Sequence, residues 1–261
     1  MEILISYDVF ENKIQLNNIN NIKFNGDILI KYYNKIVYSK NLILDDYALL
    51  WFMPNIKMTN IENIKVDFID NGNIIYSYKP LIYTSFMRGN DIELNNVCKY
   101  IKDNNSDIKN IIEIGSYQGE STLIFNKNFK DSKIFAVDMW EPNYDHREIN
   151  INTYNMLDIE NNFNVLTKNI DNIIKIKMSS VDFSKLIADK SIDFIYIDAN
   201  HLYNYVNDDI LYWKNKVKNG GFISGHDYNN FNKDDVVKAV NEHFDINKIK
   251  IIGDTWIVKN N

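Results

Sequence analysis

The sequence predicts an α/β fold: a mostly parallel sheet flanked by helices and closed by a C-terminal antiparallel hairpin, preceded by a small all-β domain. Three observations carry this expectation. Residues 1–80 alternate apolar and polar positions in short runs rich in Ile, Tyr and Val, which is the two-residue period of half-buried strands. After Pro80 apolar runs alternate with segments at helical spacing, and repeated strand-helix units require a parallel sheet because each right-handed crossover needs a helix. IKIIGDTWIVK, at 249–259, then reads as two strands turning at Gly253-Asp254.

In the first part, residues 1–80, ILISYDV and YALLWFM read as strands. ILIKYYNKIVYSK reads as a hairpin around Asn34-Lys35, and IKVDFIDNGNIIYSYK as one around Asn71-Gly72, a strong turn signal. Together they predict a small antiparallel, sandwich-like module with no helix. In the second part, residues 85–261, DIELNNVCKYIKD predicts a helix, IIEIG a strand, STLIFNKNF a helix and KIFAVD a strand. A helix near NFNVLTKNI, the strand IIKIKM, the short helix VDFSKLI and the strand DFIYID follow. YNYVNDDILYWKNKV predicts a helix stopped by Asn219-Gly220-Gly221, FISGHD a strand and DDVVKAVNEHF a helix.

Composition narrows the function classes. The 261 residues include 45% hydrophobic and 25% charged residues, enough apolar content for a sizeable core. Lys and Arg number 29 against 35 Asp and Glu, a net charge of −6, with no basic run to follow a phosphate backbone, so nucleic acid is not an expected partner. Cys98 is the single cysteine, which excludes an intrachain disulfide. The first residues, MEILISYDVF, lack a basic start with an apolar block, and no apolar run approaches the ~18 residues of a membrane span. A cytoplasmic location and no membrane partner are the expectation; a homo-oligomer is left open.

Ligands of a parallel α/β sheet bind beyond the carboxyl ends of its strands. Gly115, Asp138, Asp198 and Asp227 all fall at such ends and are expected to face one cleft. Gly115 and Gly119 bracket a strand-to-helix turn where a Cβ would block close backbone approach. Asp138 ends the next strand, 23 residues after Gly115, near the spacing at which an acidic side chain reaches ribose hydroxyls. A second group, Asp198 with His201 three residues on, and His226-Asp227 at the adjacent strand end, offers hard and borderline donors for a divalent cation. Taken singly, Asp198 could cap the next helix and His226 could be a satisfied core histidine; Tyr203, Tyr205 and Trp213 read as packing aromatics.

EIGSYQGEST, at 113–122, resembles the first motif of class I S-adenosylmethionine-dependent methyltransferases, E/D-x-G-x-x-x-G. That resemblance implies a Rossmann-like methyltransferase fold with S-adenosylmethionine as cofactor. Its binding residues would be Glu113, Gly115, Ser116, Tyr117, Gly119 and Ser121 around the methionine part and Asp138 on the ribose. Met139 or Trp140 would lie near the adenine, and Ser179 or Ser180 at its edge. DANHLYNYVNDDILYWKNKVKNGGFISGHDY, at 198–228, resembles metal-dependent sugar O-methyltransferases of the macrocin and mycinamicin type and cephalosporin-hydroxylase-like proteins. It implies Asp198 as a catalytic metal ligand, His201 as general base, His226 and Asp227 as the remaining metal pair, and Mg or Mn as the cation. His226 departs from that pattern, which has Glu; a nitrogen ligand favours Mn²⁺ or a later metal over Mg²⁺. The acceptor implied is a hydroxyl of a sugar, glycan or similar small polyol.

Two rivals remain from the sequence. An NAD-dependent oxidoreductase is disfavoured by Tyr117 where a dinucleotide turn would carry its central glycine, and by Glu113 ahead of the turn. A glycan-binding or assembly protein with a degenerate methyltransferase fold is the non-enzymatic rival.

Overall fold

A computed structural model of the chain describes residues 4–8, 13–17, 23–44, 49–52, 64–78, 81–83, 90–141, 156–168, 170–229 and 234–260. The chain divides into two compact units, Met1–Phe86 and Met87–Asn261.

The first unit holds β1 (Leu4–Asp8), β2 (Lys13–Asn17), β3 (Phe24–Tyr32), β4 (Lys35–Leu44), β5 (Leu49–Phe52), β6 (Ile64–Asp70), β7 (Asn73–Tyr78) and β8 (Leu81–Tyr83). They form two four-stranded sheets, ordered β5-β2-β1-β8 and β4-β3-β6-β7, antiparallel except for β1 with β8. The inward positions of both sheets share one core: Ile14, Leu16 and Phe52 meet Ile28, Ile30, Val66 and Phe68. This is the alternation of a sandwich. The β6–β7 hairpin turns at Asn71-Gly72, both with positive φ, as a two-residue I′ turn requires. The β3–β4 hairpin turns at Tyr33-Asn34, one residue earlier than the sequence predicts, with Tyr33 held at φ 48°.

The second unit holds α1 (Asn90–Asn104), β9 (Asn110–Ile114), α2 (Glu120–Asn128), β10 (Lys133–Asp138), α3 (Met156–Thr167), β11 (Ile173–Lys177), α4 (Ser180–Ser184), β12 (Ile192–Ile197), α5 (Tyr203–Trp213), β13 (Val217–Gly225), α6 (Asp234–His243), β14 (Ile249–Ile252) and β15 (Thr255–Lys259). One seven-stranded sheet, β11-β10-β9-β12-β13-β15-β14, is parallel except for β15, which runs antiparallel to both its neighbours. Strand parity decides which helix each residue meets. Ile111, Phe194, Tyr196 and Phe222 pack with Val97 and Ile101 of α1 and Phe125 of α2. Ile112, Ile195, Ile197 and Ile223 point the other way, onto Ile210 and Trp213 of α5 and Val236 and Val240 of α6. Every residue of β12 is therefore buried, as a central strand covered on both faces must be. The α/β fold with its C-terminal antiparallel hairpin is the one the sequence predicts.

One element ends differently. Helix α5 stops at Trp213, and Asn219-Gly220-Gly221 lies inside β13 rather than beyond a longer helix. Gly220 takes φ 78° and donates its N–H to Asn260 O, while a Cβ on Gly221 would stand 2.7 Å from Asp193 O. The glycines thus serve an irregular, closely packed stretch of strand.

Candidate functional site

The central strand ends come together because glycines let them. Gly115, directly after β9, has φ 88°, and a Cβ there would stand 2.0 Å from the carbonyl oxygen of Asp198. Gly225, at the end of β13, leaves no more room: a Cβ would lie 2.6 Å from Ile197 O and 2.8 Å from the Trp256 ring. Asp198 N donates to Ile114 O and His226 N to Ile197 O, extending the ladder one residue past β12 and β13. Gly115→Ala is expected to lower folding stability by more than about 2 kcal/mol, through the clash together with a strained φ. A denaturation midpoint equal to that of the wild type would refute this packing.

The turn after β9 is tied to β10. Gly115 N donates to Val137 O. Tyr117 and Trp140, both at positive φ, donate their N–H groups to the two oxygens of Asp138, at 2.9 and 2.7 Å. The Trp140 indole returns a hydrogen bond to Tyr117 O at 2.8 Å. Burial lifts the Asp138 carboxyl above its usual range against these backbone donors. Met139 N–H is a third backbone donor to Asp138, which leaves the carboxylate one lone pair for a further hydroxyl.

Beneath the turn, the fully buried Glu113 accepts from Ser116 Oγ at 2.8 Å, from Thr122 Oγ1 and from Ser121. Its Oε1 is buried without a hydrogen-bond partner. Burial pushes this carboxyl up to about 7, with the three hydroxyls pulling it down. Gly119, at φ 92°, caps α2 without a side chain, and Glu120 follows, pushed up to about 8 by burial. An orphaned carboxylate oxygen and a strand-end Asp with one lone pair to spare fit a cofactor bearing an amino-acid end and a ribose.

The remaining residues assigned to the cofactor from sequence are placed as follows. Met139 is exposed, whereas Trp140 is buried against Phe163, with Lys175 Nζ 4.6 Å above its ring. Ser179 caps α4, accepting from Asp182 N, while Ser180 donates to Asp209 and accepts from the Trp213 indole. Met178 N donates to Asp138 O, which draws the end of β11 to the same edge of the site.

On the other side, Asp198, His201 and Asp227 converge. One ligand atom from each lies within 4.8 Å of the others. His201 Nε2 stands 3.3 Å from Asp198 Oδ1 and 3.0 Å from Asp227 Oδ2. Asn200 makes this possible by accepting from Leu202 N, turning the loop from β12 into α5. Asp227 reaches its place at φ 63°, a left-handed conformation that Asp tolerates better than most residues. Two carboxylates and an imidazole at this separation are a donor set that fits a divalent cation.

His226 is not part of that trio. Its Nδ1 is 3.4 Å from Asp227 Oδ1, and its Nε2 is 3.8 Å from Oε1 of Glu93, on α1. Burial pulls the imidazole down, but Asp198, Asp227 and Glu93 outweigh it and hold the group at about 9. Sequence reasoning missed Glu93, which carried no signal beyond its place on an amphipathic helix.

Residues 112–228 match the profile of a family described as a methyltransferase domain. No curated protein matches the chain. Among solved structures, the O-methyltransferase NovP is similar over 64% of this chain and 79% of its own, at 17% identity and a TM-score of 0.47. The calicheamicin methyltransferase CalS11 is similar over 66% and 80%, at 9% identity and a TM-score of 0.49. A candidate caffeoyl-CoA O-methyltransferase from Staphylococcus aureus is similar over 65% and 83%, at 17% identity and a TM-score of 0.47. The profile runs from β9 through both glycine turns to Tyr228, and so spans Glu113, Asp138 and the Asp198, His201, Asp227 trio. The match to a methyltransferase domain thus lies wholly within the C-terminal unit, over the residues that build this site.

Proposed function

We propose that this domain methylates a hydroxyl group, with a divalent cation held by Asp198 and Asp227 and with His201 as the proton acceptor. The observation that carries the reading is the position of His201 Nε2, 3.0 Å from one of the two carboxylates and 3.3 Å from the other. When bound, S-adenosylmethionine would supply an electrophilic methyl group on a sulfonium. A divalent cation supplies a Lewis acid that lowers the pKa of a coordinated hydroxyl.

An amine attacks a sulfonium methyl with its own lone pair, whereas an alcohol must lose its proton as the new C–O bond forms. A base beside a paired carboxylate site therefore favours oxygen over nitrogen as the nucleophile. His201 takes that proton, and Asp198 and Asp227, at adjacent strand ends, hold the imidazole between them. Asp138 and the Gly115–Gly119 turn, at the neighbouring strand ends, would hold the cofactor and so supply proximity. The acceptor class, a sugar or similar small polyol, follows from the resemblance of residues 198–228 to sugar O-methyltransferases.

Calorimetry with S-adenosylhomocysteine tests the cofactor half. Asp138→Ala is expected to weaken binding by about 1.5 to 3 kcal/mol, the range for a lost hydrogen bond to a charged group. Unchanged affinity would remove Asp138 from the ribose site, and binding of NAD in place of S-adenosylhomocysteine would overturn the reading. Screening sugar and catechol hydroxyls with labelled cofactor tests the acceptor half.

A further inference from the structure

Behind the Asp198, His201, Asp227 trio stands a second line of polar groups. Glu93 Oε1 accepts from Thr255 Oγ1 at 2.6 Å, and Thr255 is fully buried. Thr255 also hydrogen-bonds the buried Tyr196 hydroxyl. Gly253, in the β14–β15 turn, has φ 60°, and a Cβ there would fall 1.9 Å from Glu93 Oε2, so the turn is shaped around this carboxylate. The fixed Glu93 faces His226 Nε2, and His226 presents its other nitrogen to Asp227 Oδ1. The second Asp227 oxygen faces His201.

We propose that Glu93 is a positioning residue: through His226 it fixes the rotation of the Asp227 carboxylate and so tunes how tightly the trio holds a divalent cation. The inference rests on the cation reading given above and adds a residue to it. A carboxylate with one oxygen steered by His226 and the other facing His201 has little freedom to turn. Its ordering is then settled before a cation arrives, which is how a group behind a ligand raises affinity. Glu93 comes from α1, which provides none of the three candidate ligands, so its effect on them passes through His226.

The test is Mn²⁺ binding to the full chain, followed by electron paramagnetic resonance, for the wild type, Glu93→Gln and Thr255→Val. Glu93→Gln keeps the shape and the Thr255 hydrogen bond but removes the charge facing His226. It is expected to weaken Mn²⁺ binding about 10- to 100-fold, the usual effect of losing a partner behind a ligand. S-adenosylhomocysteine affinity should be unchanged, a separation that general destabilisation would not produce. Thr255→Val, which frees Glu93 to rotate, should weaken Mn²⁺ binding in the same direction by a smaller factor, and it serves as the readout if Glu93→Gln does not fold. Mn²⁺ affinity equal to that of the wild type in the folded variants overturns the role of Glu93 while leaving the cation reading standing. A wild type that does not bind Mn²⁺ overturns both.

Discussion

Replacing His201 by alanine is expected to lower turnover by about two to four orders of magnitude, the range lost when a general base is removed. S-adenosylhomocysteine affinity should stay at the wild-type value. The expectation follows from the division of the site. The Gly115–Gly119 turn and Asp138 belong to β9 and β10, while His201 follows β12 on the loop into α5. The hydrogen bonds that shape the turn run to carboxylates of its own side: Tyr117 and Trp140 close on Asp138, and Ser116 and Thr122 on Glu113. The variant should also keep Mn²⁺ binding, because Asp198 and Asp227 each remain with a carboxylate at the same strand ends. Steady-state turnover and Mn²⁺ titration on one preparation decide the matter. Full activity removes the base assignment. Loss of Mn²⁺ together with activity would make His201 the third ligand, a role its 3.0 Å approach to Asp227 equally permits.

How far the sequence discloses this arrangement depends on the range of the interactions that build it. The sheet was legible because strand burial is a local, periodic property: IIEIG, KIFAVD and DFIYID announce themselves and end at Gly115, Asp138 and Asp198. Parallel crossovers then place those ends together without further information. Asn219-Gly220-Gly221 reads as a helix stop because glycine after a periodic run usually is one. What decides its place in β13 is the Gly220 bond to Asn260, forty residues away in the chain, and the approach of Gly221 to Asp193. Trp140 shows the same limit: nothing local to KIFAVD discloses that its ring packs on Phe163 beneath Lys175. Glu93 is the extreme case. Its partners, Thr255 and His226, lie more than a hundred residues further along the chain, and no helical period marks a carboxylate that will meet a histidine from another strand.

Asp198→Ala is expected to fail in a different way from His201→Ala, and the contrast is the strongest test of a carboxylate-held cation. Asp198 is the more exposed of the two carboxylates, with its side chain 33% accessible against 8% for Asp227. Its removal should therefore disturb packing less than the loss of Asp227 would, leaving a folded protein in which only the donor set has changed. With His201 acting as the base, the two carboxylates that hold the cation would become one, that of Asp227. Because losing a mere supporting partner already weakens a metal by about 10- to 100-fold, losing a ligand should weaken Mn²⁺ by at least about a hundredfold. Turnover should fall with it, and raising Mn²⁺ should restore part of the rate in Asp198→Ala but none in His201→Ala, since added metal can refill a weakened site and cannot replace a proton acceptor. S-adenosylhomocysteine affinity is expected to survive both changes. Wild-type activity that persists after exhaustive treatment with EDTA would remove the cation from the mechanism, leaving Asp198 and Asp227 to orient His201 and stabilise its charged form as the hydroxyl proton arrives.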